Sequence, residues 1–204
     1  MKQLFLAVAA VAATGFGVAA HASTVDFRLT LSGNSNSPTM ALANISTAAG
    51  AEIDEITMTI GDTSRNFDVI DNLGAPSGGS ATLTFGDSAK GGARTDSFTI
   101  GFTGFNSGSA ASWKTDIDRD NSNTIEDYRL VLFNGTAPNA TVQVSFSTGD
   151  LLSLTLPDAS RVPSYTFTVS GPVGPAAPVP LPASLPLFAG GLGLLGFLGR
   201  RRRG

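Results

Sequence analysis

The chain of 204 residues contains no cysteine and one histidine, His21. Without cysteine it has no disulfide framework and no Cys-His nucleophile, and one N-terminal histidine gives no basis for a Ser-His-Asp triad or a histidine-ligated metal site. All 16 acidic residues lie between Ser23 and Gly199, and the same segment contains only 8 basic residues. The resulting net charge of −8 excludes nucleic acid as a partner.

The N-terminus has the pattern of a secretory signal peptide. Lys2 supplies a positive charge, residues 4–13 form a short apolar core, and Ala20 and Ala22 form a small-x-small cleavage site. Residues 1–22 are therefore predicted to be removed on export, together with the only histidine.

Alternating apolar residues then predict a series of short strands. Val25, Phe27, Leu29 and Leu31 occupy one side of the first strand, and polar residues occupy the other side. The same period-two pattern recurs around Ile56–Ile60, Phe67–Val69, Leu83–Phe85, Phe98–Phe102, Val142–Phe146, Leu152–Leu156 and Tyr165–Val169. The wholly apolar run Leu130–Phe133 is predicted as one more strand.

Clusters of Gly, Asn, Ser and Asp separate these strands, as in antiparallel folds. Residues 23–170 are predicted to form one all-β domain, an antiparallel β-sandwich of the Ig-like or jelly-roll kind. A β-helix is the less favoured alternative.

One acidic segment of this domain is predicted to bind Ca²⁺. Asp116, Asp118 and Asp120 stand at alternate positions and are followed by Ser122 and Asp127. Oxygen ligands at positions 1, 3, 5, 7 and 12 of a tight loop converge on one calcium ion, and position 7 contributes its backbone carbonyl. The segment resembles the calcium loops of EF-hand and dockerin proteins, which implies that these five residues are its ligands.

The segment also departs from that pattern. Asn121 replaces the usual glycine, Asn123 replaces a usual hydrophobic residue, and the flanking segments are predicted strands. The alternative is a solvated acidic loop in which Asp and Asn side chains cap turns and Arg119 pairs with a neighbour.

Other polar and aromatic residues give weaker indications of a site. Trp113 is interpreted as a partly buried anchor beside the acidic segment, with a sugar-stacking platform as the alternative. Glu52 and Glu55 could take part in glycoside hydrolysis only across a cleft, and they are interpreted as exposed strand charges. No catalytic residue is assigned, and the chain is predicted not to be an enzyme.

The C-terminal part combines a stiff linker with a membrane segment. Residues 171–182 contain five prolines and two glycines, which predicts an extended spacer. Residues 183–204 are predicted as a single transmembrane helix with a basic tail, since residues 181–199 carry no charge and nearly match the length that crosses the hydrocarbon core of a bilayer. A cytoplasmic C-terminus is predicted from the four consecutive arginines of this tail, Arg200, Arg201, Arg202 and Arg203.

The sequence Val179-Pro180-Leu181-Pro182-Ala183, followed by the apolar span and the arginines, resembles the VPLPA variant of the PEP-CTERM sorting domain of Gram-negative bacteria. The resemblance covers about the last 27 residues. It implies passage through the inner membrane, as a transient or permanent anchor, and recognition by an exosortase, which would cleave at the motif and pass the protein onward to the cell surface or extracellular matrix.

Three functions are compatible with these features. The leading hypothesis is a noncatalytic surface or extracellular-matrix protein linked to exopolysaccharide and biofilm. The alternative is a Ca²⁺-dependent, lectin-like carbohydrate-binding module with extracellular polysaccharide as its partner. The third is a secreted hydrolase acting through carboxylates such as Glu52, Glu55, Asp118 and Asp127, and the sequence favours it least.

Overall fold

The computed structural model describes residues 23–33, 37–85, 95–121, 126–133 and 137–173. Within these residues the chain forms ten β-strands and one short helix. In chain order they are β1 (Thr24–Ser32), β2 (Thr39–Asn44), β3 (Ile53–Thr59), β4 (Arg65–Gly74), β5 (Ser80–Phe85), β6 (Ser97–Thr103), β7 (Ala110–Arg119), α1 (Tyr128–Leu132), β8 (Thr141–Phe146), β9 (Leu151–Thr155) and β10 (Ser164–Pro172).

The strands form two five-stranded sheets. Sheet A has the order β10-β1-β2-β7-β4 and sheet B the order β5-β6-β3-β8-β9, and the neighbouring strands pair antiparallel. The predicted all-β sandwich is therefore confirmed, and the β-helix alternative is wrong.

The core lies between the sheets and uses the predicted alternation. Val25, Phe27, Leu29 and Leu31 of β1 are all fully buried. Aromatic rings join the sheets: Phe98 of sheet B packs edge-on against Phe67 of sheet A, with ring centroids 4.9 Å apart. Such edge-to-face pairs add about 0.5–1.5 kcal/mol to the burial of their apolar area.

Hydroxyl side chains cover part of the solvent side of sheet B. The hydroxyls of Thr57 and Thr99 lie 2.9 Å apart across β3 and β6, and Thr59 donates to Ser97 at 3.2 Å. These cross-strand pairs satisfy polar atoms on a face in contact with water, as the sequence predicts for outward threonines and serines.

The strand predicted for Leu130–Phe133 is wrong, because this run belongs mostly to helix α1. The Asp127 carboxylate caps the helix by accepting a hydrogen bond from the backbone N–H of Arg129. The buried residues Tyr128, Val131 and Leu132 lie three and four positions apart, so one helical face enters the core. An apolar run this short does not distinguish a buried strand from a buried helical turn.

Strand β10 extends two residues into the segment predicted as linker. Gly171 and Pro172 pair with Val25 and Thr24 of β1. Because β10 is at the edge of sheet A and Pro172 is its last residue, the missing N–H of proline costs little. The linker from residue 174 onward and the predicted transmembrane helix lie outside the described residues.

The N-terminal and C-terminal residues of the folded domain lie side by side. Thr24 pairs with Pro172, and the N–H of Val173 donates to the carbonyl of Ser23 at 3.2 Å. We call this the proximal end of the sandwich. At the distal end, Ser32 pairs with both Ser164 and Thr39.

Candidate metal centre

The strongest cluster of functional side chains lies on strands β4 and β7 at the distal end. Strand β7 pairs with β2 from Ala110 to Lys114, where Lys114 is opposite Thr39. The rest of β7, up to Arg119, runs past the end of the β2 pairing and pairs with the edge strand β4.

The local register brings acidic residues of the two strands together. Phe67 is opposite Ile117, and Ile70 is opposite Thr115. Between these pairs β4 has two residues and β7 has one, which is a β-bulge and places Asp68 next to Asp116. Since Phe67 and Ile117 point into the core, the alternating residues Asp68, Asp116 and Asp118 share the opposite side of sheet A.

Asp68, Asp116 and Asp118 form what we call the acidic triad. Each contributes a carboxylate oxygen, and these oxygens all lie within 4.8 Å of one another. Asp68 and Asp118 are only 8% and 4% exposed, and Asp116 is partly buried. The residues present can therefore bind a metal ion, because clustered carboxylate oxygens are the ligands that hard cations prefer.

Electrostatics at the triad favour a cation. Burial raises the pKa of Asp116 above its ordinary value, and the negative charges of Asp68 and Asp71 raise it further. A hydrogen bond from the backbone N–H of Ile117 to the Asp116 carboxylate acts in the opposite direction. Like charges held this close favour protonation or the binding of a cation.

Asn66 adds a fourth oxygen beside the triad. It is on β4, 1% exposed, and directly opposite Asp118. Its side-chain Nδ2 donates to the Asp120 carboxylate at 3.0 Å, while its Oδ1 is buried and accepts no hydrogen bond. A buried carbonyl without a donor is costly, and a cation is one partner that would satisfy it.

The five predicted calcium ligands do not form one loop. Asp116 and Asp118 belong to the triad, but they lie within strand β7 and not in a tight turn. Asp120 follows the strand and contacts Asn66. Asp127 caps α1 and forms an ion pair with Arg129 at 2.7 Å, and Ser122 lies outside the described residues. The predicted loop arrangement of ligands is thus corrected to a cross-strand cluster.

Part of the alternative interpretation of this segment is also confirmed. Arg119 forms an ion pair with Glu126, and the Asp127 side chain caps a helical turn. Both contacts occupy acidic residues outside the triad. Glu126 and Asp127 are thus paired with arginines, and Asp116 and Asp118 lie close to each other and to Asp68.

Asp68 and Asn66 were missed by the sequence analysis. The strand containing Phe67 and Val69 was predicted, so its polar residues could be placed on the solvent side. Nothing in the sequence indicated that β7 is the neighbour of this strand.

Trp113 is not a sugar-stacking platform. It is 1% exposed on the core side of β7, and its ring lies edge-on to Phe98 with a centroid distance of 6.2 Å. The interpretation as an anchor is confirmed, although the side chain is fully and not partly buried. Of the carboxylates considered for hydrolysis, Glu55 lies on β3 of sheet B and Glu52 directly precedes that strand, whereas Asp118 lies in sheet A.

The remaining predicted sites fall outside the described residues, so they stay predictions. They comprise the signal cleavage residues Ala20 and Ala22, the sorting motif Val179, Pro180, Leu181, Pro182 and Ala183, and the basic tail Arg200, Arg201, Arg202 and Arg203. Among the residues that the structure describes, no helix has the length and apolar character needed to cross a membrane.

Comparisons with known proteins found no match: no protein-family model fits the chain, and neither a curated protein nor a solved structure is significantly similar to it.

Proposed function

We propose that the chain is an exported, noncatalytic protein of the cell surface or extracellular matrix, delivered by an exosortase and linked to exopolysaccharide in a biofilm. The terminal segments carry the proposal: a predicted signal peptide over residues 1–22, and the motif Val179 to Ala183 before an apolar span and four arginines. The proposal assigns no catalytic residue.

The main structural support is the position of the first and last residues of the folded domain. Thr24 and Pro172 are paired neighbours at the proximal end, so the predicted linker starts where the mature chain begins. A domain attached in this way has its whole distal end directed away from the membrane. This geometry suits a domain that displays a surface while its C-terminus is anchored or cleaved.

Intact mass of the protein recovered from its native cell surface tests this proposal. The expected species lacks residues 1–22 and is cut between Val179 and Ala183. The variant Pro180→Ala, within the motif, should stay uncleaved in the membrane fraction, and Pro175→Ala, in the linker outside the motif, should be processed like the parent. Retention of the complete arginine tail in the parent, or equal processing of both variants, would contradict exosortase sorting.

A second candidate function, Ca²⁺-dependent carbohydrate binding, is supported by the position of the acidic triad. The triad lies at the distal end, where sugar hydroxyls could approach a bound ion without meeting the linker. With Trp113 buried, any sugar contact would have to come from the ion and the polar residues around it.

A glycan array with Ca²⁺ and with EDTA tests this function. Binding that disappears in EDTA and in the Asp116→Asn variant is expected. Glycan binding of equal strength in EDTA, or its absence under both conditions, would rule the function out while leaving the sorting proposal intact.

A further inference from the structure

We propose that Asp68, Asp116, Asp118 and the side-chain oxygen of Asn66 bind one Ca²⁺ ion that fastens the edge strand β4 to β7. The inference rests on the calcium-dependent candidate function and deepens it by naming the ligands. It also gives the ion a structural role that needs no sugar.

The donor set and its spacing suit calcium. All four donors are oxygens, the ligand type that Ca²⁺ prefers, and none is the thiolate or imidazole typical of zinc and copper sites. Two oxygens on opposite sides of a calcium ion, each bonded at about 2.3–2.6 Å, are about 4.6–5.2 Å apart. The triad oxygens lie within 4.8 Å of one another, so a single Ca²⁺ can reach all three with little movement of the strands.

Asn66 is the independent observation that points to a ligand. Its position opposite Asp118 places it beside the triad, and its Nδ2 is already engaged by Asp120. The buried Oδ1 is left with no hydrogen-bond donor, although a buried amide oxygen normally has one. Coordination of Ca²⁺ supplies the missing partner, as asparagine carbonyls do in known calcium sites.

The interrupted pairing of β4 with β7 explains why an ion bound between these strands would stabilise the domain. Strand β4 is at the edge of sheet A, and its pairing with β7 is interrupted between Phe67 and Ile70 and again between Asp71 and Gly74. Phe67 also forms an isolated antiparallel bridge with Thr95. Two ligands come from β4 and two from β7, so the ion bridges the strands at the first interruption. The triad carboxylates lie close together at the point where the ladder between β4 and β7 is interrupted, so a bound ion would link the two strands there.

Calcium should therefore raise the stability of the folded domain. Extracellular calcium modules commonly bind with dissociation constants of about 10⁻⁴–10⁻³ M. An ion present at about 100 times its dissociation constant raises the melting temperature of a domain of this size by about 5–10 °C. The domain would then reach full stability only after export into a medium that contains calcium.

Thermal melts of the full-length protein in detergent test the inference. Protein treated with EDTA should melt about 5–10 °C lower than protein in 10 mM Ca²⁺, and Mg²⁺ should have a smaller effect. Asp118→Asn should lose most of the calcium shift, and Asn66→Ala should weaken calcium binding about tenfold. The matched control Asp96→Asn, at an exposed carboxylate outside the triad, should keep the full shift.

Terbium luminescence gives a readout independent of stability. Tb³⁺ replaces Ca²⁺ at oxygen sites, and Trp113, the only tryptophan, lies three residues from Asp116 on the same strand and can sensitise its emission. Emission that excess Ca²⁺ suppresses in the parent and in Asp96→Asn, but that is weak in Asp118→Asn, is expected. If the parent shows neither a calcium shift nor sensitised emission, the inference is wrong.

The outcomes also separate this inference from the functions proposed above. A calcium shift with no glycan binding would remove the carbohydrate function and keep the structural ion. Should Asp118→Asn fail to fold, the parent titrations and the Asn66→Ala variant decide the question. An equal calcium shift in Asn66→Ala, Asp96→Asn and the parent would overturn the role of Asn66.

Discussion

Two carboxylates of the same acidic segment have pKa values displaced in opposite directions. Burial and neighbouring acids raise the pKa of Asp116, whereas hydrogen bonds from Arg129 lower the pKa of Asp127. The Asp127 carboxylate is paired with Arg129, and the Asp116 carboxylate lies beside those of Asp68 and Asp118. The spacing of acids along the sequence therefore could not tell which of them would cluster.

The environment of Asp127 leads to a prediction about stability and pH. Asp127→Ala removes the cap of α1 and the ion pair with Arg129, and it should lower the free energy of unfolding by about 1 kcal/mol at pH 7. Because the folded-state pKa is lowered, the contribution of the charge is present above the ordinary carboxyl pKa and is lost as pH falls through the lowered value. The loss should therefore shrink at pH 2.5.

Urea unfolding at both pH values, followed by the fluorescence of the buried Trp113, measures the effect. Asp127→Asn is the matched control, since asparagine caps helices as well as aspartate but forms no ion pair. It should cost less than Asp127→Ala at pH 7. Arg161 also lowers the pKa of Asp127, so its substitution should reduce the pH dependence. A cost of Asp127→Ala that stays the same at pH 2.5 would contradict the assignment.

At the scale of single residues, the sequence predicted two of the four residues of the candidate metal centre. Asp116 and Asp118 were singled out because they are close in sequence and share a spacing. Asn66 and Asp68 are about 50 residues away, and only the pairing of β4 with β7 brings them into contact. The bulge that places Asp68 next to Asp116 depends on that pairing too, so no local pattern could indicate it.

At the scale of elements, strong apolar alternation was a reliable guide and weak alternation was not. Strand β1, with four fully buried residues, was predicted accurately. Strand β2 is not predicted, and β7 is predicted only as a strand that flanks the acidic segment: β2 has only Met40 and Leu42 as large core residues, and β7 uses Ala111 and Thr115 at inward positions. Because β7 continues through Asp116 and Asp118, ending this strand too early led to the prediction of a loop.

The turn between β3 and β4 gives a prediction at this scale. A Cβ atom on Gly61 would lie 1.7 Å from the carbonyl oxygen of Pro138 and 2.7 Å from that of Asn139, and both are backbone atoms. Gly61→Ala must therefore push the end of β3 away from the segment that leads into β8. Strands β3 and β8 pair with each other in sheet B. We expect a loss of about 3 kcal/mol in the free energy of unfolding, at the upper end of overpacking effects.

Gly74→Ala is the matched control for Gly61→Ala. Its Cβ would lie 3.4 Å from the nearest backbone oxygen, that of Ser112, which is an ordinary contact. This variant should change the stability by less than about 1 kcal/mol in urea unfolding. Equal losses of unfolding free energy in Gly61→Ala and Gly74→Ala would show that the close backbone contacts of Gly61 do not stabilise the turn.

At the scale of the whole molecule, the antiparallel pairing of β1 with β10 determines what the domain can display. The pairing brings the N- and C-terminal ends of the folded chain together at the proximal end of the sandwich. The C-terminal part of β7 lies at the distal end. The acidic triad is thus separated from the linker by the length of β1, which is 9 residues or about 30 Å. Carbohydrate binding at the triad requires this separation, since a site beside the linker would face the membrane.

The separation can be measured directly, because the natural chain has no cysteine and two labels can be placed without removing any. Spin labels at Ser23→Cys and Lys114→Cys should lie about 30 Å apart, since Lys114 pairs with Thr39 and Thr39 with Ser32. Labels at Ser23→Cys and Val173→Cys should be much closer, because these residues share a backbone hydrogen bond of 3.2 Å. Pulsed electron paramagnetic resonance on the full chain measures both distances. If the distance between positions 23 and 114 were as short as that between positions 23 and 173, the triad would lie at the proximal end. The proposed exposure of the triad away from the membrane, and its access to a glycan, would then be wrong.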